Sequence, residues 1–254
     1  MHIEGSVALI TGGASGLGLG VARMIAARGG QAMIADLPTS RGHEVAVELG
    51  DSVAFIPTDV ADPDQVTTAV QATLALFGRL DLCVNCAGIS PAHRVVKRDG
   101  TLFPLDTFTS TVAVNLTGLF DVVRNAAGAM AKNPPGTDGE RGLIVNVASI
   151  AALEGQVGQA AYAASKGGVV ALTLPLARDL AGLGIRVMTV CPGIMDTAML
   201  ADADDTRRQA LLDIHVFPKR LGRSDDFADL VAAFMTNTML NGDVVRLDAA
   251  TRLA

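Results

Sequence analysis

Tyr162 is the only tyrosine in this chain of 254 residues, and it lies four positions before Lys166 and thirteen positions after Ser149. Residues i and i+4 of a helix share a face, so the phenol and the ammonium can reach one site. A free tyrosine has a pKa near 10, and a proton acceptor near neutrality needs a shift of roughly 2–3 units. A cation about 4 Å away contributes on the order of 4 kcal/mol at an effective dielectric of 20, so Lys166 could lower the Tyr162 pKa enough. An incidental Tyr–Lys pair on a helix is the alternative.

A glycine-rich segment near the start of the chain has the features of a phosphate site. Residues 7–11 form a short apolar run typical of a buried parallel strand, and Gly12, Gly16 and Gly18 follow it before a helix-like stretch. Glycines there let the backbone turn tightly and approach a pyrophosphate at the positive end of the helix. The G-x-x-x-G-x-G spacing differs from the commoner G-x-G-x-x-G, and an ordinary strand–helix turn is the alternative. Because it lies between a strand and a helix, we interpret it as a dinucleotide site.

The second predicted strand, residues 31–36, ends in Asp36. A carboxylate at this point would accept hydrogen bonds from the adenosine ribose and would repel a 2′-phosphate. Neither Ser15 nor Leu37 offers a compensating positive charge, which favours NAD over NADP. Arg41 is the nearby residue that could reverse this preference, and a surface carboxylate without a role is the alternative.

The motifs of this chain, taken in order, resemble those of the short-chain dehydrogenase/reductase family along nearly the whole sequence. They are the glycine turn at 12–18, Asp59-Val60, Asn85-Cys86-Ala87-Gly88, Asn115, Ser149, Tyr162 with Lys166, Pro192-Gly193 and Thr197. The likeness extends to the type-2 3-hydroxyacyl-CoA dehydrogenase subgroup through residues 10–19, 36–38, 84–89, 154–162, 174–188 and 240–248, and through insertions at 93–105 and 132–141. Cys86 is shared with that subgroup, whereas Cys191, Met195-Asp196 and Asp248-Ala249-Ala250 depart from the pattern and leave the shape of the pocket open.

The resemblance implies a role for each matched residue. The implied catalytic residues are Ser149, Tyr162, Lys166 and Asn115, with Asn115 supporting a water-linked proton relay to Lys166. The implied cofactor contacts are Gly12, Ser15, Gly16, Leu17, Gly18, Asp36, Asp59, Val60, Cys86, Ala87, Gly88, Tyr162, Lys166, Pro192, Met195 and Thr197. The implied substrate contacts are Ser149, Gln159 and Tyr162.

The expected function is the NAD-dependent interconversion of 3-hydroxyacyl-CoA and 3-oxoacyl-CoA, with Tyr162 as the acid–base group and Ser149 donating a hydrogen bond to the substrate oxygen. One alternative is an NADPH-dependent 3-oxoacyl carrier-protein reductase, against which Asp36 argues. A second is a dehydrogenase of hydroxysteroids or other secondary alcohols. The third is a catalytically silent NAD-binding scaffold, which should have lost one of the catalytic residues, and all are present.

The segment at about 195–217 carries apolar residues between charged ones, and we interpret it as a substrate lid over an apolar pocket. These apolar residues are Met199, Leu200, Leu211, Leu212, Ile214, Val216 and Phe217. Simple packing of the segment onto the sheet is the alternative. Arg94, Lys97 and Arg98 could meet the phosphates of coenzyme A, with a solvated basic loop as the alternative.

Strand-like and helix-like segments alternate along the chain, which implies a parallel sheet covered on both faces. We expect strands near 7–11, 31–36, 53–57, 81–85, 142–148, 185–191 and 243–247. We expect helices near 16–28, 41–49, 62–77, 108–132, 162–181 and 225–236. The predicted fold is a single α/β domain over 1–254, a Rossmann-like doubly wound parallel sheet of about seven strands. By resemblance, the long helices near 108–132 and 162–181 would build a homotetramer.

Composition and charge limit the kinds of binding partner and the cellular location that we expect. The net charge of −6 argues against a nucleic-acid partner. No uncharged apolar run reaches the roughly 18–20 residues that span a bilayer, and the N-terminus lacks a signal-peptide pattern, so a cytoplasmic location is expected. Cys83 and Cys86 fall on opposite faces of a predicted strand, so we expect neither a redox pair nor a metal site.

Overall fold

Seven parallel strands form one sheet in the computed structural model, which describes residues 1–197 and 205–253. The strands are Val7–Thr11 (β1), Gln31–Asp36 (β2), Val53–Pro57 (β3), Leu82–Asn85 (β4), Gly142–Val147 (β5), Ile185–Pro192 (β6) and Val244–Leu247 (β7). Their order in the sheet is β3-β2-β1-β4-β5-β6-β7. Each strand lies within one residue of its predicted bounds, and the predicted doubly wound fold is confirmed.

Helices connect successive strands and cover both faces of the sheet. They are Gly16–Ala27 (α1), Gly42–Leu49 (α2), Pro63–Phe77 (α3), Leu105–Val112 (α4), Leu119–Met130 (α5), Ala160–Leu180 (α6), Asp205–Asp213 (α7) and Ser224–Thr236 (α8). Short 3-10 turns lie at Thr137–Gly139, Ile150–Ala152 and Ala181–Leu183. Within the described part of the chain, no helix is both long enough and apolar enough to cross a membrane.

The helix predicted over 108–132 differs from the observed arrangement. It begins earlier, at Leu105, and a π-helical stretch from Ala113 to Gly118 separates α4 from α5. A Cβ on Gly118 would overlap the backbone carbonyl oxygen of Val60, so the two backbones approach closely there. π-Helical turns inserted in α-helices are frequent at functional sites, and this one contains Asn115.

Two apolar layers hold the helices to the sheet. On one face α1 and α8 bury Val21, Ile25, Phe227 and Phe234 against the strands. On the other face α3, α5 and α6 contribute to a second buried cluster, which includes Met130. A parallel sheet needs both of its faces covered, which is why its central strands are apolar throughout.

The strand order brings the predicted motifs to one edge of the sheet. β1 pairs with β2 on one side and with β4 on the other, so the connections after β1 and β4 leave in opposite directions. In open α/β sheets, ligands bind at the carboxyl ends of the strands beside such a reversal. The segments that follow β1, β4, β5 and β6 therefore lie side by side at this edge.

Candidate active site

The turn between β1 and α1 leaves no room for side chains at two of its glycines. Gly12 has a φ of +63°, and a Cβ on it would lie 2.8 Å from the backbone nitrogen of Ala87. A Cβ on Gly18 would overlap the carbonyl oxygen of Gly12. Ser15 is the N-cap of α1 without a capping side-chain hydrogen bond, and the first turn of α1 carries no acidic residue. The positive end of this helix is therefore uncompensated, which suits a pyrophosphate.

Asp36 is fixed against the same turn. Its Oδ2 accepts a hydrogen bond from the backbone nitrogen of Ala14 at 3.0 Å, and its Oδ1 accepts one from Leu37 at 2.8 Å. Arg41 donates to Glu44 at 2.8 Å and to Glu48 at 3.1 Å, so its charge is compensated on α2. The Asp36 carboxylate thus lies at the end of β2, and the nearby Arg41 is paired with two glutamates of α2.

The segments after β3 and β4, which carry further predicted cofactor contacts, lie at the same edge. Val60 is buried, while Asp59 accepts from the backbone nitrogen of Ala61 at 2.9 Å. Cys86 donates its backbone N–H to the carbonyl oxygen of Thr11 at 3.1 Å. The neighbouring Ala87 donates to the Thr11 hydroxyl at 3.3 Å, so this segment and the glycine turn are joined directly.

Gly88 lies between the glycine turn and two of the predicted catalytic residues, Asn115 and Lys166. A Cβ placed on it would lie 3.1 Å from Oδ1 of Asn115 and 3.3 Å from Nζ of Lys166. The position is therefore enclosed by both of these side chains. A side chain on residue 88 would fill the space between them.

The three remaining predicted cofactor contacts lie at the end of β6 or just beyond it, and their surroundings differ. Pro192 is the last residue of the strand and is buried. Thr197 faces the glycine turn, because a Cβ on Gly16 would lie 3.3 Å from its Cγ2. The Met195 side chain is only 7% exposed and packs into the apolar core against Gly222. Any contact of Met195 with a cofactor is thus left to its backbone.

The structure brings Ser149, Tyr162 and Lys166 together between the end of β5 and α6. Lys166 Nζ lies 5.9 Å from the centroid of the Tyr162 ring and donates to the carbonyl oxygen of Val147 at 2.8 Å. Ser149 lies two residues beyond β5, and its hydroxyl accepts from the backbone nitrogen of Ala151 at 3.1 Å. A hydroxyl, a phenol and an ammonium thus meet at the carboxyl edge of the sheet.

Asn115 is fully buried in the π-helical stretch, and both atoms of its side-chain amide are hydrogen-bonded within the protein. Its Nδ2 donates to the carbonyl oxygen of Ile89 at 2.8 Å and to the Ser165 hydroxyl at 3.0 Å, while its Oδ1 accepts from the Ile89 nitrogen at 2.8 Å. Ser165 in turn donates to the carbonyl oxygen of Tyr162 at 2.8 Å. Sequence reasoning missed Ser165, although its place beside Lys166 in the Tyr–Lys motif was a signal.

Burial dominates the electrostatics of the catalytic residues. It lowers the pKa of Lys166 to about 8 and raises the pKa of Tyr162 above its usual value. A hydrogen bond with Ser149 acts in the opposite direction on Tyr162, whereas the nearby Cys191 adds to the increase. The expectation that Lys166 lowers the tyrosine pKa is therefore wrong for the protein side chains alone, because desolvation of the phenolate outweighs the other contributions.

Three thiols lie on β4, just after it and on β6, and of these Cys83 and Cys191 are buried while Cys86 is partly buried. Burial raises the pKa of both Cys83 and Cys86 to about 12, and it also raises the pKa of Cys191. These thiols stay protonated near neutrality. Among the described residues, no group of three His, Cys, Asp or Glu side chains is arranged to hold a metal ion.

Of the residues predicted to contact the substrate, Gln159 lies in the loop before α6, and the segment predicted as a lid is described in part. Gln159 is partly buried and accepts from the backbone nitrogen of Gln156 at 3.0 Å. In the segment predicted as a lid, Val216 and Phe217 are 64% and 80% exposed, so these two are not packed onto the sheet. Met199 and Leu200 lie outside the described residues.

Comparisons with known proteins agree with this geometry. The family model described as short chain dehydrogenase matches residues 6–208. The chain is 47% identical to a 3-hydroxyacyl-CoA dehydrogenase type-2 of Drosophila melanogaster, over 99% of both chains, and 48% identical to that of Bos taurus, over 99% of this chain and 97% of the relative. A crystal structure of 3-hydroxyacyl-CoA dehydrogenase type-2 from Mycobacterium avium superposes with a TM-score of 0.94 at 42% identity, covering 98% of this chain and 97% of that one.

The family predicted from the motifs is therefore confirmed. Its model covers most of the chain, and the relatives match from end to end. The glycine turn and the Ser149, Tyr162 and Lys166 cluster lie at the edge of the sheet where such a fold binds its ligands. The chain belongs to the short-chain dehydrogenase family and is an oxidoreductase that acts on CH–OH groups.

Proposed function

We propose that this protein is an NAD-dependent dehydrogenase that interconverts 3-hydroxyacyl-CoA and 3-oxoacyl-CoA. The observation that carries the substrate class is the end-to-end similarity, at 47–48% identity, to the type-2 3-hydroxyacyl-CoA dehydrogenases of two organisms. Fold alone would not support a substrate, because one fold hosts many activities. The residue cluster at the sheet edge supplies the groups that this reaction needs.

In the proposed reaction, bound NAD supplies the hydride acceptor, and the protein handles the oxygen and its proton. Ser149 holds the substrate oxygen by a hydrogen bond, and Tyr162 exchanges a proton with that oxygen. The raised pKa of Tyr162 keeps the phenol protonated near neutrality, which suits donation to a carbonyl during reduction. Lys166 and the backbone of residues 86–88 would hold the nicotinamide ribose, with Thr197 at the carboxamide.

NAD is favoured over NADP by the surroundings of Asp36. Its carboxylate is held at the glycine turn, where it would accept from ribose hydroxyls and repel a 2′-phosphate. Arg41, which could have offset that repulsion, is paired with Glu44 and Glu48. The same carboxylate disfavours the alternative of an NADPH-dependent carrier-protein reductase.

A thioester of coenzyme A suits the charge of the insertion at 93–105. Arg94, Lys97 and Arg98 are exposed there, and the neighbouring His93 donates its backbone N–H to the carbonyl oxygen of Gly158 at 2.9 Å. The loop is thereby attached to the segment that leads into α6. Its three cations would meet the phosphates of coenzyme A in a chain whose net charge is otherwise negative.

A hydroxysteroid or another secondary alcohol is the second candidate substrate. Val157 and Phe217, which are 75% and 80% exposed, would give an apolar ligand a surface to contact. This candidate needs the same cofactor and the same proton transfer. It differs in that the basic loop would have no partner on the substrate.

A homotetramer and a cytoplasmic location complete the proposal. The tetramer would be built on α5 and α6, which carry the partly exposed apolar side chains Phe120 and Leu174. The location is inferred from sequence only and stays a prediction.

The test of the proposed function follows reduced nicotinamide by absorbance with acetoacetyl-CoA, offering NADH and NADPH separately. We expect rapid consumption of NADH and little use of NADPH. A preference for NADPH would favour the biosynthetic reductase instead. Turnover of hydroxysteroids without turnover of acetoacetyl-CoA would replace the substrate class while leaving the dehydrogenase chemistry.

A further inference from the structure

Glu154 connects the loop before α6 to β7 and to the last described residues. Arg246 on β7 donates from Nη1 to Oε1 of Glu154 at 2.8 Å and from Nη2 to Oε2 at 3.3 Å. The backbone nitrogen of Leu253 donates to the same Oε2 at 2.9 Å. The side chains of Glu154 and Arg246 are each only 22% exposed, so this bidentate ion pair is better shielded from solvent than an ordinary surface ion pair. The hydrogen bonds from Arg246 hold the pKa of Glu154 below its usual range.

Arg246 is itself held rigidly. Its Nε donates to Asp248 at 2.6 Å, and its Nη2 donates to the carbonyl oxygen of Thr251 at 2.8 Å. Thr251 is fully buried, and Asp248 is 8% exposed at its side chain. Glu154 is therefore attached to a well-packed support and not to a mobile surface residue.

The cluster of Glu154, Arg246 and Asp248 is connected to the catalytic residues through Cys191. Arg246 is the cross-strand neighbour of Cys191 on β6. Burial raises the pKa of the Cys191 thiol, while a hydrogen bond with the Ser149 backbone and the charges of Arg246 and Lys166 lower it, which places Cys191 near all three. Cys191 thus lies between the ion pair and the residue that would hold the substrate oxygen.

The loop at 150–159 has other anchors, and they point in other directions. The backbone nitrogen of Glu154 donates to the carbonyl oxygen of Ile150 at 3.0 Å, within the loop. Gly155 packs against Ala163 on α6, since a Cβ on that glycine would lie 2.9 Å from the alanine Cβ. Glu154 supplies the attachment to β7 and thereby fixes the loop across the site.

We propose that Glu154 is a positioning residue of the active site, which through Arg246 and Leu253 sets the loop 150–159, and with it Ser149 and Gln159, relative to the substrate. The inference rests on the proposed function. It assigns to Glu154 an effect on turnover without contact with substrate or NAD. A misplacement of about 1 Å can cost on the order of a hundredfold in rate, so loss of one such attachment is measurable.

The test compares Glu154→Gln, which keeps the shape and removes the charge, with Asp229→Asn as a matched control. Asp229 pairs with Arg28 at 3.4 Å on the surface between α1 and α8, remote from the sheet edge. The readouts are kcat and KM for acetoacetyl-CoA with NADH, the Kd of NADH by fluorescence, and amide hydrogen exchange of peptides covering 150–159. We expect Glu154→Gln to lower kcat by about tenfold or more, to leave the NADH Kd within about twofold, and to speed exchange in the loop. The control should change none of these.

The outcomes separate this inference from the proposed function. Failure of the wild type to reduce acetoacetyl-CoA would count against the proposed substrate, and the exchange comparison would still decide the role of Glu154. Unchanged exchange in 150–159, or a kcat within twofold of an active wild type, would overturn the inference alone. If Glu154→Gln unfolds below the assay temperature, Arg246→Lys, which keeps the charge but loses the two-pronged geometry, gives the same readouts.

Discussion

Burial moves the pKa values of Tyr162 and Lys166 in opposite directions, because it lowers that of the buried Lys166 to about 8 and raises that of the partly buried Tyr162 above its usual value. As pH rises, the ammonium therefore loses its proton before the phenol does. The side chains alone do not favour a phenolate beside an ammonium. Ionisation of Tyr162 must be supported by groups that bind at the site, for which oxidised NAD, with its positive ring, has the required charge.

The pH dependence of stability should report the buried lysine. The pKa of Lys166 is about 8 when folded against 10.5 when unfolded, so between these values the unfolded chain holds a proton that the folded protein lacks. Stability therefore rises with pH across this window, and the unfavourable contribution is fully present below pH 8. We expect the Tm of the wild type, measured by calorimetry, to rise relative to that of Lys166→Met between pH 7.5 and 9.5. Each kcal/mol of stability that the wild type gains should raise its Tm by about 2–4 °C.

The comparison has its own control, because Tyr162 and the buried cysteines are present in both proteins. Their raised pKa values make stability fall at higher pH, and this effect largely cancels in the difference. A difference in Tm that stays flat from pH 7.5 to 9.5 would show that Lys166 titrates like an exposed lysine.

At the residue scale, the sequence predicted which side chains meet but not their pKa values. The spacing of Tyr162 and Lys166 placed both on one helix face, as observed. Burial dominates both pKa shifts, and it depends on segments far away in sequence, such as the end of β5, where the carbonyl oxygen of Val147 accepts from Lys166; no local pattern encodes it. The same holds for the amide of Asn115, whose partners Ile89 and Ser165 are 26 and 50 residues away.

At the scale of elements, the glycine turn gives the sharpest prediction. A Cβ on Gly18 would overlap the carbonyl oxygen of Gly12, so Gly18→Ala must shift the turn that we propose binds the pyrophosphate. We expect this variant to weaken NADH binding by about tenfold or more, as the loss of one or two charge-assisted hydrogen bonds would, in a fluorescence titration.

Gly128 in α5 is the matched control for that substitution. Nothing in this chain lies within 4 Å of a Cβ built on it, so Gly128→Ala should leave NADH binding unchanged. Equal NADH affinity in Gly18→Ala and the wild type would contradict the assignment of the turn.

Strand positions were predictable because buried parallel strands are short, apolar and bounded by turns. The π-helical stretch at Ala113–Gly118 was not, because it depends on the approach of Gly118 to Val60, 58 positions earlier in the chain. The helix Asp205–Asp213 within the predicted lid was also missed. Its sequence lacks a clear apolar stripe.

At the scale of the whole molecule, the proposed tetramer depends on the outer surface of α5 and α6. Phe120 on α5 is 43% exposed, so a charge there would stand in the proposed interface. We expect Phe120→Glu to shift the protein to smaller species in sedimentation equilibrium. Val47→Glu, at an apolar residue of α2 that is 71% exposed, should leave the assembly intact. A monomeric wild type, or a tetramer that tolerates Phe120→Glu, would contradict this interface.

The rate of NADH formation from 3-hydroxybutyryl-CoA and NAD, measured for the wild type and for Tyr162→Phe, tests the proposed acid–base role of Tyr162. We expect a wild type that turns over and a variant slower by about 10²–10⁴-fold, the usual contribution of a positioned acid–base group. NADH binding by the variant, followed by fluorescence, should be unchanged. Substantial residual turnover in Tyr162→Phe, or no turnover of this substrate by the wild type, would contradict it.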